Sequence, residues 1–268
     1  MKNVLVLIHD DDGQEARLQG ALDAARALQG HLTCAHVTEF APVIGADAYS
    51  MSGGVMMLEV EEEIERENWA KVEKRLSSED LPFEWIEMTG AAEPAMKEAA
   101  QLADLIVVNS ETPGFFQPQL FKLVERLVIK LGKPLLAVPT EQGFRPADPV
   151  MVAWDGSGPA SEALRAAMSL LKLSDSVTLF EIEDDSAGTS VTDAAEYLSR
   201  HDIKAEVVCE KAPVDDCISS LLLSELESGR FGWAVMGAFS SSRFRQALFG
   251  GTTKRMLKEA PVPLLIAH

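Results

Sequence analysis

The chain is written twice. Its opening apolar run, Asn3-Val4-Leu5-Val6-Leu7-Ile8, returns as Pro149-Val150-Met151-Val152-Ala153-Trp154. A later run, Asp104-Leu105-Ile106-Val107-Val108-Asn109, returns as Gly232-Trp233-Ala234-Val235-Met236-Gly237. Each half ends on nearly the same text, Pro134-Leu135-Leu136-Ala137-Val138 against Pro263-Leu264-Leu265-Ile266-Ala267. Such duplication means that one structural unit is built twice, a stronger constraint than any local propensity. Between the copies, Thr140 to Pro149 is polar and carries Gly143, Pro146 and Pro149, the composition of a linker. The expected domains are residues 1–143 and 144–268.

Within each copy, short apolar runs alternate with amphipathic stretches. Residues 4–8 are apolar throughout, which suits a strand buried on both faces. The first copy reads as strands at 4–8, 32–37, 83–88, 105–108 and 134–138, with helices at 14–28, 55–76, 94–102 and 118–131. The second reads as strands at 150–154, 177–182, 204–209, 233–236 and 262–267, with helices at 159–171, 190–201, 214–228 and 252–259. This alternation predicts an α/β protein of two tandem, doubly wound parallel sheets with helices on both faces. Ligands of such sheets gather at the carboxyl ends of the strands, where the winding reverses.

Composition removes several classes. A net charge of −18 speaks against nucleic acid and against anionic membrane surfaces as partners. Cys34, Cys209 and Cys217 are odd in number and form no short paired motif, so neither a disulfide frame nor a zinc site is expected. The run after Met1 is too short for a signal peptide, and no stretch reaches the length of a membrane span. The expected location is the cytoplasm.

The second half carries the one motif with chemistry in it. Met236-Gly237 ends a strand, Ala238, Phe239 and Ser240 follow, and the chain returns through Gly250-Gly251-Thr252-Thr253 into a helix. Glycines next to hydroxyls at a helix start gather donors that suit a phosphate. The opening strand of the same half ends in Asp155-Gly156-Ser157. Together these residues resemble the universal stress protein family, whose signature is a glycine, two residues, a glycine, nine residues, then glycine with serine or threonine. Both halves are covered, so the chain resembles the tandem form of that family. Ser240 stands where the family pattern has its second glycine. Gly251 stands where it has a hydroxyl, which is displaced to Thr252 and Thr253.

The resemblance implies a strand order of 3-2-1-4-5 in each half and a stress-linked sensor or regulator. It also implies a site for an adenine nucleotide, ATP, in the second half, made by Asp155, Met236, Gly237, Ser240, Gly250, Gly251, Thr252 and Thr253. Asp155 would lie by the adenosine, with the glycine loop around the phosphates. Family members commonly dimerise through their fifth strand, so the two halves are expected to form an internal pseudo-dimer. A homodimer and an unidentified protein partner remain open.

The first half has lost this loop. Asn109 stands in place of Gly237, His9 in place of Asp155, and Phe121, Lys122 and Leu123 in place of the helix start. No nucleotide is expected there, and Phe115, Phe116 and Phe121 are expected to fill the cradle. His9-Asp10-Asp11-Asp12 reads as an acidic loop capping the next helix in preference to a divalent-metal site. The segment 40–54 reads as a surface connection in preference to a lid. No nucleophile elbow, zincin motif or Walker-type loop is present. The expectation is therefore a protein that is not an enzyme. The alternatives are an interaction protein of the same fold that binds no nucleotide, and a slow ATP hydrolase.

Overall fold

The computed structural model describes residues 1–38, 63, 65–89, 92–110, 127–129, 131–183, 188–211, 218–238 and 251–268. The first half runs β1 (Asn3–Ile8), α1 (Gln14–Ala27), β2 (His31–Thr38), α2 (described at 63 and 65–76) and β3 (Phe83–Thr89). It continues with α3 (Ala92–Ala99), a single 3-10 turn, β4 (Leu105–Asn109), α4 (described at 127–129 and 131) and β5 (Leu135–Val138). The second runs β6 (Val150–Trp154), α5 (Gly158–Leu171), β7 (Val177–Glu183), α6 (Val191–Ser199) and β8 (Ala205–Lys211). It closes with α7 (Ile218–Glu227), β9 (Trp233–Gly237), α8 (Gly251–Glu259) and β10 (Leu264–Ala267).

The ten strands form one sheet in the order β3-β2-β1-β4-β5-β10-β9-β6-β7-β8. Taken separately, each half has the order 3-2-1-4-5, and every pairing inside a half is parallel. The halves meet through β5 and β10, which pair antiparallel. All eight residues of these two short strands are buried. An edge that apolar must be covered, and here each half covers the other.

Helices lie on both faces. Residues of α1, α2, α5 and α6 pack with one side of the sheet, through Leu18, Leu22, Leu76, Leu164 and Leu198. Residues of α3, α4, α7 and α8 pack with the other, through Met96, Val128, Leu222 and Met256. Both apolar layers run through the junction, since Leu136 and Leu265 belong to the first, and Leu135 and Leu264 to the second. Burial of each such leucine contributes about 1.5–3 kcal/mol.

Local signals explain several element limits. Ser157 caps α5 by accepting from Ala160 N at 3.2 Å, and Pro159 sits in the first turn, where its missing N–H costs nothing. Ser190 caps α6 in the same way through Asp193 N at 3.1 Å. The polar linker contains an anchor that its composition hides. Phe144 is fully buried against Trp233, with ring centroids 5.5 Å apart, and Trp233 Nε1 donates to Asp148 O at 3.2 Å.

Candidate functional site

The expected site lies at the carboxyl end of the second half's strands. Ala153 of β6 and Met236 of β9 are register partners, so Asp155 and Gly237 follow neighbouring strand ends. Asp155 is exposed, and its Oδ1 accepts from Ser157 N at 3.0 Å. Gly156 between them has φ of +68°, a backbone that favours glycine. Its turn is pinned from above, because Thr189 N donates to Gly156 O at 3.0 Å and Trp154 Nε1 donates to Thr189 O at 3.0 Å. Asp155 is thereby held beyond the carboxyl end of β6 by a defined turn.

Gly237 has a structural task of its own. A Cβ there would lie 2.5 Å from Ala160 N and 2.7 Å from Pro159 C, in the first turn of α5. The close approach that requires glycine is made by the protein's own helix. Met236 is buried in the apolar layer shared with Ile266 and Met256. Gly251 opens α8, and a Cβ on it would meet nothing within 4 Å. Thr252 is half-buried and Thr253 is buried. Ser240 and Gly250 lie outside the described residues, as do Phe115, Phe116 and Phe121 of the first half and the segment 40–54.

The first half solves the same junction in reverse. The strand β4 ends in a side chain, Asn109, and the glycine has moved to the helix start, where a Cβ on Gly13 would lie 2.6 Å from Asn109 Oδ1. Asn109 Nδ2 donates to Gly13 O at 3.0 Å, while its Oδ1 accepts from Arg17 Nη1. Arg17 is buried to 4% exposure. Its Nε donates to Leu7 O at 2.7 Å, and its Nη1 and Nη2 reach Asp11 at 3.2 and 3.0 Å. A guanidinium and an amide thus occupy the crevice between β1 and β4. Asp11 also accepts from Gly13 N at 2.8 Å, so the acidic loop supports the start of α1. Gly13 itself is the N-cap residue. Among the described residues no group of three or more His, Cys, Asp or Glu is arranged to hold a metal ion.

Sequence reading missed Arg17, Glu65 and His36. Glu65 of α2 joins two histidines, with His9 Nδ1 at 2.9 Å and His36 Nε2 at 3.1 Å. Burial pushes the Glu65 carboxyl up, but the hydrogen bonds from His36 and His9 and their charges bring it down to about 2. The hydrogen bond to Glu65 raises His9 above its ordinary 6.5, against the opposing effect of burial. One signal for Arg17 was available, because it lies on the same helix stripe as the buried Ala21 and Ala24, with acids just upstream.

A doubly wound α/β unit built twice, with one reversal point in each half, between β1 and β4 and between β6 and β9, defines the class. The family model for the universal stress protein family matches residues 1–139, and the chain belongs to that family. The match falls on the half that lacks the glycine loop. Over 99% of both chains it is 22% identical to universal stress protein Slr1230 of Synechocystis sp.. In fold it is similar to a universal stress protein from Archaeoglobus fulgidus, with a TM-score of 0.73 and 15% identity, covering 99% of this chain and 97% of that one. It is also similar to the functionally unknown protein PA1789 from Pseudomonas aeruginosa, with a TM-score of 0.61 and 14% identity, covering 100% and 92%. Among the described residues no helix is long and apolar enough to cross a membrane.

Proposed function

We propose that the second half binds one adenine nucleotide, ATP, and that the protein acts in the cytoplasm as a stress-linked sensor or regulator and not as an enzyme. The observation carrying this reading is the contrast between the two reversal points. Where the first half places Asn109 and the buried guanidinium of Arg17, the second has Gly237 and Ser161, whose hydroxyl turns back to Ser157 O at 3.1 Å. The exposed carboxylate of Asp155 beyond β6 has the polarity that a ribose hydroxyl needs from an acceptor. The start of α8 supplies backbone donors, since a helix N-terminus leaves amides unsatisfied.

A second reading is an interaction protein of the same fold that takes no nucleotide. It is favoured by Gly237, whose need for glycine is met by contact with α5 alone. Calorimetric titration with ATP, on protein shown by mass spectrometry to carry no co-purified ligand, separates the two. Binding at one ATP per chain is expected. No heat at millimolar ATP transfers the function to the second reading.

A further inference from the structure

Among the described residues, one carboxylate of helix α2 reaches side chains at the carboxyl ends of two strands. Glu65 belongs to α2, and each of its oxygens meets a different imidazole, that of His9 after β1 and that of His36 in β2. An ionised carboxylate only accepts hydrogen bonds, so both ring nitrogens must carry hydrogen. Neutral His9 meets this with Nδ1–H and neutral His36 with Nε2–H. Protonation of the His9 ring removes no hydrogen bond and adds an opposite charge, so acid strengthens the contact. Two neighbouring attachments of α2 carry no ionisable group. Gln14 and Asn68 exchange amide hydrogen bonds at 2.7 and 2.8 Å, and Trp69 stacks on Trp85 at 4.5 Å.

We propose that His9, Glu65 and His36 form an acid-tightened latch, which locks α2 onto the sheet of the first half under mild acidification and slackens it at alkaline pH. His9 is held above 6.5 by its hydrogen bond to Glu65, reinforced by the charges of Glu65 and Asp11 and opposed by burial and Arg17. Its contribution is therefore complete below pH 6.5 and is lost as pH rises through the raised value. Glu65, lowered from 4.5 to about 2, contributes fully above pH 4.5 and is lost only as pH falls towards 2. The latch is fullest between these limits, from pH 4.5 to 6.5.

The charged surroundings favour this sign. Asp10, Asp11 and Asp12 come from the loop after β1, and Asp11 is engaged by Arg17 of α1. Glu87 of β3 is the register partner of His36, and on α2 the acid Glu63 is paired with Arg66. Of these groups, Asp11 joins Glu65 in stabilising the His9 imidazolium, and Arg17, whose charge Asp11 meets at 3.0 Å, opposes it.

Hydrogen–deuterium exchange on the full chain tests the latch without reference to any nucleotide. Protection of residues 65–76 is compared with that of α5 as an internal standard, at about pH 5.5 and about pH 8, after correction for intrinsic exchange. Protection of α2 relative to α5 should be roughly three- to tenfold greater in acid. Glu65→Gln, which keeps an acceptor but loses the charge, should abolish the difference. If that variant fails to fold, His9→Gln should reduce it. An equal ratio at both pH values, or an undiminished difference in the variants that fold, overturns the proposal.

Discussion

Leu136 and Leu265 face each other across the antiparallel pair of β5 and β10, and they occupy the same place in their respective copies. Their neighbours pair crosswise, Ala137 with Leu264 and Leu135 with Ile266. The pseudo-twofold axis that relates the halves therefore passes between this leucine pair. Both side chains are fully buried in the layer shared by α1 and α5.

Truncating either leucine should be costly, because the cavity would open where the halves join. Leu136→Ala or Leu265→Ala is expected to destabilise by about 2–5 kcal/mol. The double variant should depart from additivity by about 0.5–3 kcal/mol, since the two side chains share one cavity. Urea unfolding measures both quantities. Because the apolar layers are continuous, the unmodified chain should unfold in one transition, and two separated transitions would contradict a shared core.

Gly237 and Gly251 look alike in the motif but should behave oppositely. Gly237→Ala would drive a Cβ into the backbone of α5, so a loss of about 1–3 kcal/mol is expected without any ligand. Gly251→Ala meets open space at the start of a helix and should be neutral or stabilise by about 0.4–1 kcal/mol. Thermal melting of ligand-free protein distinguishes them. Equal behaviour would mean that the contact of Gly237 with α5 is unimportant.

The fold was legible because burial leaves a periodic record. Residues such as Val4–Ile8 and Leu135–Val138 can be apolar in sequence only if covered on both faces, and duplication then gave the architecture twice. The pseudo-dimer was expected, but two separate sheets were expected with it; the apolar edges β5 and β10 instead pair antiparallel and make one sheet of ten strands. The crevice of the first half was not legible, since Asn109, Arg17 and Asp11 are polar residues far apart in sequence whose meeting only tertiary structure reveals. Glu65 was hidden for a plainer reason. It sits in an acidic stretch that, by pattern, is a solvated helix face, and its two histidine partners come from the loop after β1 and from β2. Gly237 was read for a ligand, whereas α5 already requires it.

Arg17 should prove structural. Replacing it with methionine leaves Leu7 O and Asn109 Oδ1 short of a donor and Asp11 short of a counter-charge. A loss of about 2–3 kcal/mol is expected, below the full cost of stranding a buried charge because Asp11 keeps 29% of its side chain exposed. Lysine should not rescue, since one ammonium cannot reproduce the planar fork that reaches several acceptors at once. Chemical denaturation of Arg17→Met and Arg17→Lys checks this, and full rescue by lysine would refute it.

Two cysteines should differ sharply in reactivity. Burial pushes the Cys34 thiol up to about 12, and the residue is enclosed in the apolar layer beneath α1 and α2. Cys209 is exposed on the outer strand β8. Alkylation of the native protein followed by peptide mapping should label Cys209 and spare Cys34 until denaturant is added. Early labelling of Cys34 would show that the first half opens readily.

The nucleotide site yields the prediction with the widest consequence. Asp155 holds the turn into α5 through Ser157 N and is also the proposed acceptor for the ribose, so alanine removes both roles. Asp155→Asn keeps an oxygen for the turn and deletes only the charge, which makes it the cleaner probe. A charged acceptor contributes about 1.5–3 kcal/mol, so ATP affinity should fall roughly tenfold or more while the melting temperature of the ligand-free protein stays unchanged. In the segment outside the described residues, Gly250→Val should abolish binding by placing a branched Cβ in the phosphate path, whereas Ser240→Gly should preserve or improve it. Calorimetric titration of the set distinguishes two failures. If Asp155→Asn binds ATP like the unmodified chain while Gly250→Val does not, the phosphates are held as proposed but the adenosine lies elsewhere. If the unmodified chain binds but all variants match it, the site is not at this crevice.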